Sequence, residues 1–434
     1  MRRSYILAGF ILCSFAACKP SITSELPYAN GLDFNSYVAV GDAFTAGFSD
    51  GALSRSGQTN SYPAILAEQF GVFGPMVFNQ PLLGSDVGFP SSKLVLGLTQ
   101  DCMNMQTLSP VPSSGAVSPG DGANISAQGP FNNVGIPGAR AIDYVTPGYA
   151  VLNPFAGRIE SMTGGTLLDE ATLTSPSFFT MWLGNSDVLG YAMTGGEGNI
   201  LPLHPDNLTS FANFSAAYDQ IVQSMTAGGA KGVLMNIPDI SSFPFFTTIP
   251  ANGLVLDTAQ ATALNGLYAG SGITFRTGPN NFIIQDSDVP GGRRQIKNGE
   301  YLLLSTPQDS LKCGGWGTAV PIPKKYVLAA DEVKAITDLT KSFNNYIRDE
   351  AIKYNLGLVD MNTYFKAIAS GVKFNGVDYN SQYISGTAFS LDGIHFTQRG
   401  YALLANEVLR TINAFYGSSV PAADANKYPG IKVP

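Results

Sequence analysis

Apolar residues follow two rhythms along this chain. Short, mostly apolar runs, Tyr37–Val40, Phe178–Leu183 ("FFTMWL"), Gly232–Asn236 ("GVLMN") and Leu356–Met361, have the length and near-continuity of strands buried on both faces. Between them lie stretches whose apolar residues stand three and four apart. Leu208–Ala227 carries Phe211, Phe214, Ala217 and Ile221 in that way, and Asp331–Tyr354 carries Val333, Ile336, Leu339, Phe343, Ile347 and Ile352. A short helix is expected over Tyr62–Phe70 and a closing helix over Arg399–Tyr416. Strands separated by helices of this length predict an α/β fold, a three-layer α/β/α sandwich with a central parallel sheet.

Two regions break the rhythm. Residues 71–130 are rich in Gly, Pro and Ser around "SPVPSSGAVSPGDGAN", and read as a long ordered insertion or a mobile flap. In residues 240–325, "NFIIQDSDV" and "EYLLLS" flank "PGGRRQIKNG" and predict an added hairpin with the polar stretch as its turn. With 48 Gly and 27 Pro in the chain, both fit large loop insertions on a single core. One domain is therefore expected over about 34–416, with the tail to 434 packed against it.

The chain start changes the picture of where the protein works. Met1-Arg2-Arg3, an apolar run from Tyr5 to Phe15 and "FAAC" ending at Cys18 read as a signal peptide over 1–17. Small residues directly before a cysteine resemble a bacterial lipobox, which implies acylation at Cys18, by palmitate or a similar chain, and a membrane anchor. Residues 18–33 read as a polar tether. The full chain holds 25 basic and 32 acidic residues without a basic run, so no nucleic-acid partner is expected.

With Cys13 in the leader and Cys18 as lipid site, Cys102 and Cys313 are left as a candidate disulfide whose geometry the sequence does not supply. The two histidines, His204 and His395, do not stand in a zinc-ligand pattern, and no metal site or cofactor is expected. "GGEG" and "GGWG" lack the lysine or helix context of a phosphate loop.

Four stretches carry candidate chemistry. "YVAVGDAFTAGFSDG" (37–51) runs from a strand through Gly41-Asp42 into a small-residue helix start. "NNVGIPGARAID" (132–143) is a Gly-Pro-Gly turn before a helix, with N–H groups free to meet an anion. "MWLGNSDVLG" (181–190) leaves a buried strand, and "SLDGIHFTQRG" (390–400) puts Asp392 and His395 on a turn into the last helix. Taken in order, these blocks resemble the SGNH/GDSL hydrolase family across essentially the whole mature chain, in particular its large GDSL-type lipoproteins of diderm bacteria. The family's Gly-Asp-Ser-x-x-x-Gly falls on Gly41, Asp42, Ala43 and Gly47. Its oxyanion glycine falls on Gly138, its Gly-x-Asn-Asp on Gly184, Asn185, Ser186 and Asp187, and its Asp-x-x-His on Asp392 and His395. The resemblance implies a flavodoxin-like parallel sheet and an outer-membrane lipoprotein.

Two departures stand out. In the family the serine attacks an ester, the histidine takes its proton, and the aspartate orients the imidazole. Here Ala43 holds the nucleophile position and Ser186 the asparagine oxyanion position. Asn185 is not expected to substitute, since a one-residue slip on an extended segment turns the side chain the other way. Loss of a triad serine costs on the order of 10⁶ in turnover, and loss of one oxyanion donor about 10²–10³. The sequence therefore points to a catalytically impaired member, a binding or complex-forming subunit of the cell envelope, with a vestigial Asp392–His395 pair. The alternative is an active esterase using Thr45, Ser49 or a His395-activated water. Asp42 is expected to cap the following helix, and His204 to be a loop residue.

Overall fold

A computed structural model describes residues 26–201 and 204–433; the leader and Cys18 lie outside the described residues. Five short strands make one sheet: β1 (Tyr37–Gly41), β2 (Asn133–Gly135), β3 (Phe178–Trp182), β4 (Lys231–Met235) and β5 (Gly357–Val359). Their order is β5-β4-β3-β1-β2 and every neighbouring pair is parallel, the flavodoxin-like arrangement. All of β1 and β3 is buried, as unbroken apolar runs covered on both faces require.

The helices that matter here are α1 (Ala43–Ala46), α2 (Tyr62–Phe70), α3 (Ser186–Met193), α4 (Phe211–Thr226), α5 (Ala330–Lys353), α6 (Met361–Ser370) and α7 (Gln398–Tyr416). Ends match local chemistry: Ser210 caps α4 through the Asn213 N–H at 3.2 Å, and Thr397 caps α7 through the Gly400 N–H at 3.0 Å. Gly417, left-handed, closes α7. Helices α2 and α7 pack on one another, as do α4 and α5, and these pairs flank the sheet. In α5, Ile336, Phe343 and Ile347 are buried as expected, whereas Ile352 is 73% exposed near the last turn. Among the described residues no helix is long and apolar enough to cross a membrane.

Several expectations are corrected. Asn133–Gly135 forms the edge strand β2, where the sequence suggests only a turn, and α6 follows β5 directly. The first insertion is ordered around a hairpin, Leu94–Gln100 against Gln106–Pro112. In the second, Ile283–Gln285 pairs with Arg293–Gln295, inside the stretch expected to be the turn, while Tyr301–Leu302 pairs with Val327–Leu328. The reason is charge satisfaction: Arg294 reaches Glu300 at 2.6 and 2.8 Å, and that carboxylate is buried, so a polar segment is held as a strand. The tether ends earlier than residue 33. Tyr28 exchanges hydrogen bonds with Ser419, and the Asn30 amide donates to the Tyr416 carbonyl at 2.6 Å, fixing this stretch to the chain's other end.

Cys102 and Cys313 are joined in a disulfide. It links the hairpin tip of the first insertion to a short helix of the second, Gln308–Lys312, beside an Asp101–Lys312 ion pair at 3.1 Å.

Candidate active site

Three of the four motif blocks leave the carboxyl ends of adjacent strands, β1, β2 and β3, where open α/β sheets build sites. Close packing at that edge demands glycine. A Cβ on Gly41 would lie 2.7 Å from the Trp182 carbonyl, and one on Gly135 would lie 2.4 Å from the Ala46 nitrogen. Thus β1 lies close to β3 and α1 sits tight against β2, carrying Ala43 at its first position.

Asp42 does cap α1, accepting the Phe44 N–H at 3.1 Å on Oδ1. Its other oxygen accepts the Ser186 N–H at 3.3 Å and lies 3.4 Å from the Ser186 hydroxyl, so the same carboxylate ties β1 to the start of α3. Burial pushes this carboxyl up to about 6, against the opposing pull of the Phe44 N–H, the nearby Asn185 amide, His395 and the Ser186 N–H.

Asn185 is not on an extended segment, as expected, but already in helical conformation. It is buried near the Asp42 carboxylate with neither amide atom in a well-formed hydrogen bond, whereas Ser186 is only half-buried. The reason expected for setting Asn185 aside, an extended backbone, therefore does not hold.

Gly138 adopts φ +80°, with the preceding Pro137 carbonyl held by the Asn153 amide at 2.9 Å. Asp187 fastens this block to the third, accepting the Ala141 N–H at 3.0 Å on one oxygen, while its other oxygen has no partner among the described residues. Burial pushes the Asp187 carboxyl up to about 7. The raised value means that stability from the neutral acid is complete below about pH 4 and lost as pH rises through about 7. Asp187→Asn keeps the acceptor for Ala141 and cannot ionise. Its unfolding free energy should match wild type at pH 4 and exceed it at pH 8, by up to a few kcal/mol, with the midpoint following. Equal midpoints at both pH values would show that Asp187 is not neutral in the fold.

The last block brings Asp392 and His395 together. His395 Nδ1 lies 3.0 Å from Asp392 Oδ2, and Asp392 Oδ1 accepts the backbone N–H groups of Ile394 and His395 at 2.9 and 2.8 Å. Burial works to raise the Asp392 carboxyl, but His395 and these N–H bonds outweigh it and hold the group well below the usual carboxylate range. An ionised Asp392 makes Nδ1 the donor. The imidazole packs between Phe44 and Phe48, each ring centre 4.8 Å away, which brings it against α1 and the turn after it.

Other candidates fall away. Thr45 is fully buried with its hydroxyl 3.0 Å from that of Tyr62, and Ser49 is buried in a tight turn with Ala52. His204 pairs with Asp206 at 3.4 Å and gives its carbonyl to Arg140. Among the described residues no cluster of His, Cys, Asp and Glu could hold a metal ion. Sequence reasoning missed three ties made by backbone N–H groups: Ser186 to Asp42, Ala141 to Asp187, and Gly51 to Asp392 Oδ2 at 3.0 Å. Only the Asp50-Gly51 pair left a mark in the sequence, as a turn signal.

No match was found among curated proteins. Among solved structures, a catalytic mutant of an acetylxylan esterase from Geobacillus stearothermophilus is similar, at 11% identity and a TM-score of 0.36, over 87% of this chain and 93% of that one. The model of the GDSL-like lipase/acylhydrolase family matches residues 37–408, a span that holds all four blocks, and the chain belongs to that family.

Proposed function

We propose that this protein is a non-catalytic member of its esterase and lipase family, a ligand-binding or complex-forming lipoprotein of the outer membrane. The observation that carries the reading is Ala43 at the start of α1, whose next residue, Phe44, contacts the imidazole of a fully built Asp392–His395 pair. A base and its orienting carboxylate remain, with no hydroxyl on the residue they would serve. The half-buried Ser186, its hydroxyl turned to Asp42, offers no amide to an oxyanion. Vestigial roles are assigned accordingly: Asp392 and His395 as former orienter and base, Ala43 as vacated nucleophile position, Gly138 and Ser186 as former oxyanion positions.

The test is hydrolysis of p-nitrophenyl acetate. Wild type should not exceed His395→Ala. Turnover in wild type that His395→Ala abolishes would instead establish the alternative, an esterase working through water activated by His395, since Thr45 and Ser49 are buried.

Anchoring is tested separately. Cys18→Ala should leave the leader uncleaved or release the protein from the membrane fraction. A processed Cys18→Ala protein that stays membrane-bound would overturn the lipid assignment.

A further inference from the structure

Ser49 and Ala52 exchange both backbone hydrogen bonds at 3.1 Å, and the two residues between them, Asp50 and Gly51, have φ of +55° and +77°. Two consecutive left-handed residues make the turn type that Asp-Gly favours. Three groups of this turn face residues 390–392. The Asp50 N–H donates to the Ser390 hydroxyl at 2.9 Å, and the Leu391 N–H donates to Asp50 Oδ1 at 3.0 Å. The Gly51 N–H donates to Asp392 Oδ2 at 3.0 Å, the same oxygen that meets His395 Nδ1. On its far side, the Asp50 carbonyl accepts the Leu94 N–H at 2.8 Å, at the root of the first insertion's hairpin.

We infer that Asp50 is a positioning residue for the Asp392–His395 pair, and that through it the first insertion acts on the imidazole. The loop's own N–H groups fix one oxygen of Asp392. The other, which orients His395, is aligned from outside the loop by Gly51, whose place depends on Asp50 and Ser390. A chain of hydrogen bonds thus runs from the hairpin root through residue 50 to the imidazole. Nothing local demands an acid at position 50. Asparagine tolerates the left-handed region and would accept the same Leu391 bond, while the carboxyl sits buried close to Asp392. The inference rests on the pair being built, as in the proposed function, and not on whether it turns over substrate.

With only two histidines in the chain, the His395 ring nitrogens can be followed directly in protein labelled with ¹⁵N at histidine. Asp50→Gly keeps the left-handed turn but removes the acceptor for Leu391. Ser390→Ala removes the acceptor for the Asp50 N–H, and Asp50→Asn keeps both. The His395 Nδ1 resonance should move in Asp50→Gly and Ser390→Ala and stay at its wild-type position in Asp50→Asn. In the Ala43→Ser/Ser186→Asn background, Asp50→Gly should lower kcat about tenfold with KM unchanged. If Asp50→Gly does not fold, Ser390→Ala carries the same test. Folded Asp50→Gly or Ser390→Ala protein with a wild-type His395 Nδ1 resonance would overturn the inference. The imidazole readout needs no turnover, so an inert background tells against the proposed vestigial site and not against Asp50.

Discussion

Ala43→Ser should convert this protein into a weak esterase, and Ala43→Ser/Ser186→Asn should be about 10²-fold faster than the single variant. The first substitution puts a hydroxyl at the start of α1, next to Phe44, whose ring already contacts His395 at 4.8 Å. The base needs no rebuilding, because Asp392 accepts its Nδ1–H at 3.0 Å and is itself held by three backbone N–H groups. Restoring a triad nucleophile recovers a factor that amounts to about 10⁶ in a fully assembled site. The incomplete oxyanion hole keeps the single variant far below that. The second substitution replaces a hydroxyl bonded to Asp42 with an amide that can reach toward the cleft. Rates on p-nitrophenyl acetate, with His395→Ala added to each variant as control, check both steps. A folded double variant that stays inert would mean that the block-two and block-three positions do not converge on Ala43. The assignment of Gly138 and Ser186 would then fail.

Much of this was legible in the residues, for physical reasons that also explain the gaps. β1, β3 and β4 announce themselves because a strand buried on both faces must be apolar throughout. β2 does not, since Asn133-Val134-Gly135 is three residues long, and its Asn133 side chain bonds the Thr45 carbonyl. Helix α6 follows β5 after a single residue, Asp360, so the stretch Leu356–Met361, apolar apart from that aspartate, blurred the boundary between them. Arg294 gave its segment the look of a solvated turn, while its ion pair with the buried Glu300 made a strand of it. In the site, side-chain chemistry at fixed spacing exposed Ala43, Ser186, Asp392 and His395. The fastenings around them were hidden, because a backbone N–H belongs to every residue except proline and marks no position.

Reduction of the Cys102–Cys313 bond, or Cys102→Ser, should lower the unfolding midpoint by about 6 °C. The two cysteines are 211 residues apart, and chain-entropy arithmetic for a loop of that length gives about 5 kcal/mol. For a protein of this size the entropy of unfolding is roughly 0.8 kcal/mol per kelvin, which converts one figure into the other. Since the gain comes from restricting the unfolded chain, the native circular-dichroism spectrum should not change and the denaturant m-value should rise on reduction. Local contacts soften the loss but do not replace the bond: Asp101 and Lys312 are held at 3.1 Å near the surface, where solvent screens an ion pair. The crosslink also closes a circuit around the base. The hairpin it pins is rooted at Asp50, and the second insertion packs on the dyad loop, where the Phe245 N–H bonds the Gly393 carbonyl at 2.9 Å. Cutting the bond at the hairpin tip should therefore raise amide exchange at Gly51 and Gly393 together, more than in the central sheet. An unchanged midpoint, with exchange confined to residues 101–105, would mean that the two insertions hold their places on the core without the bond.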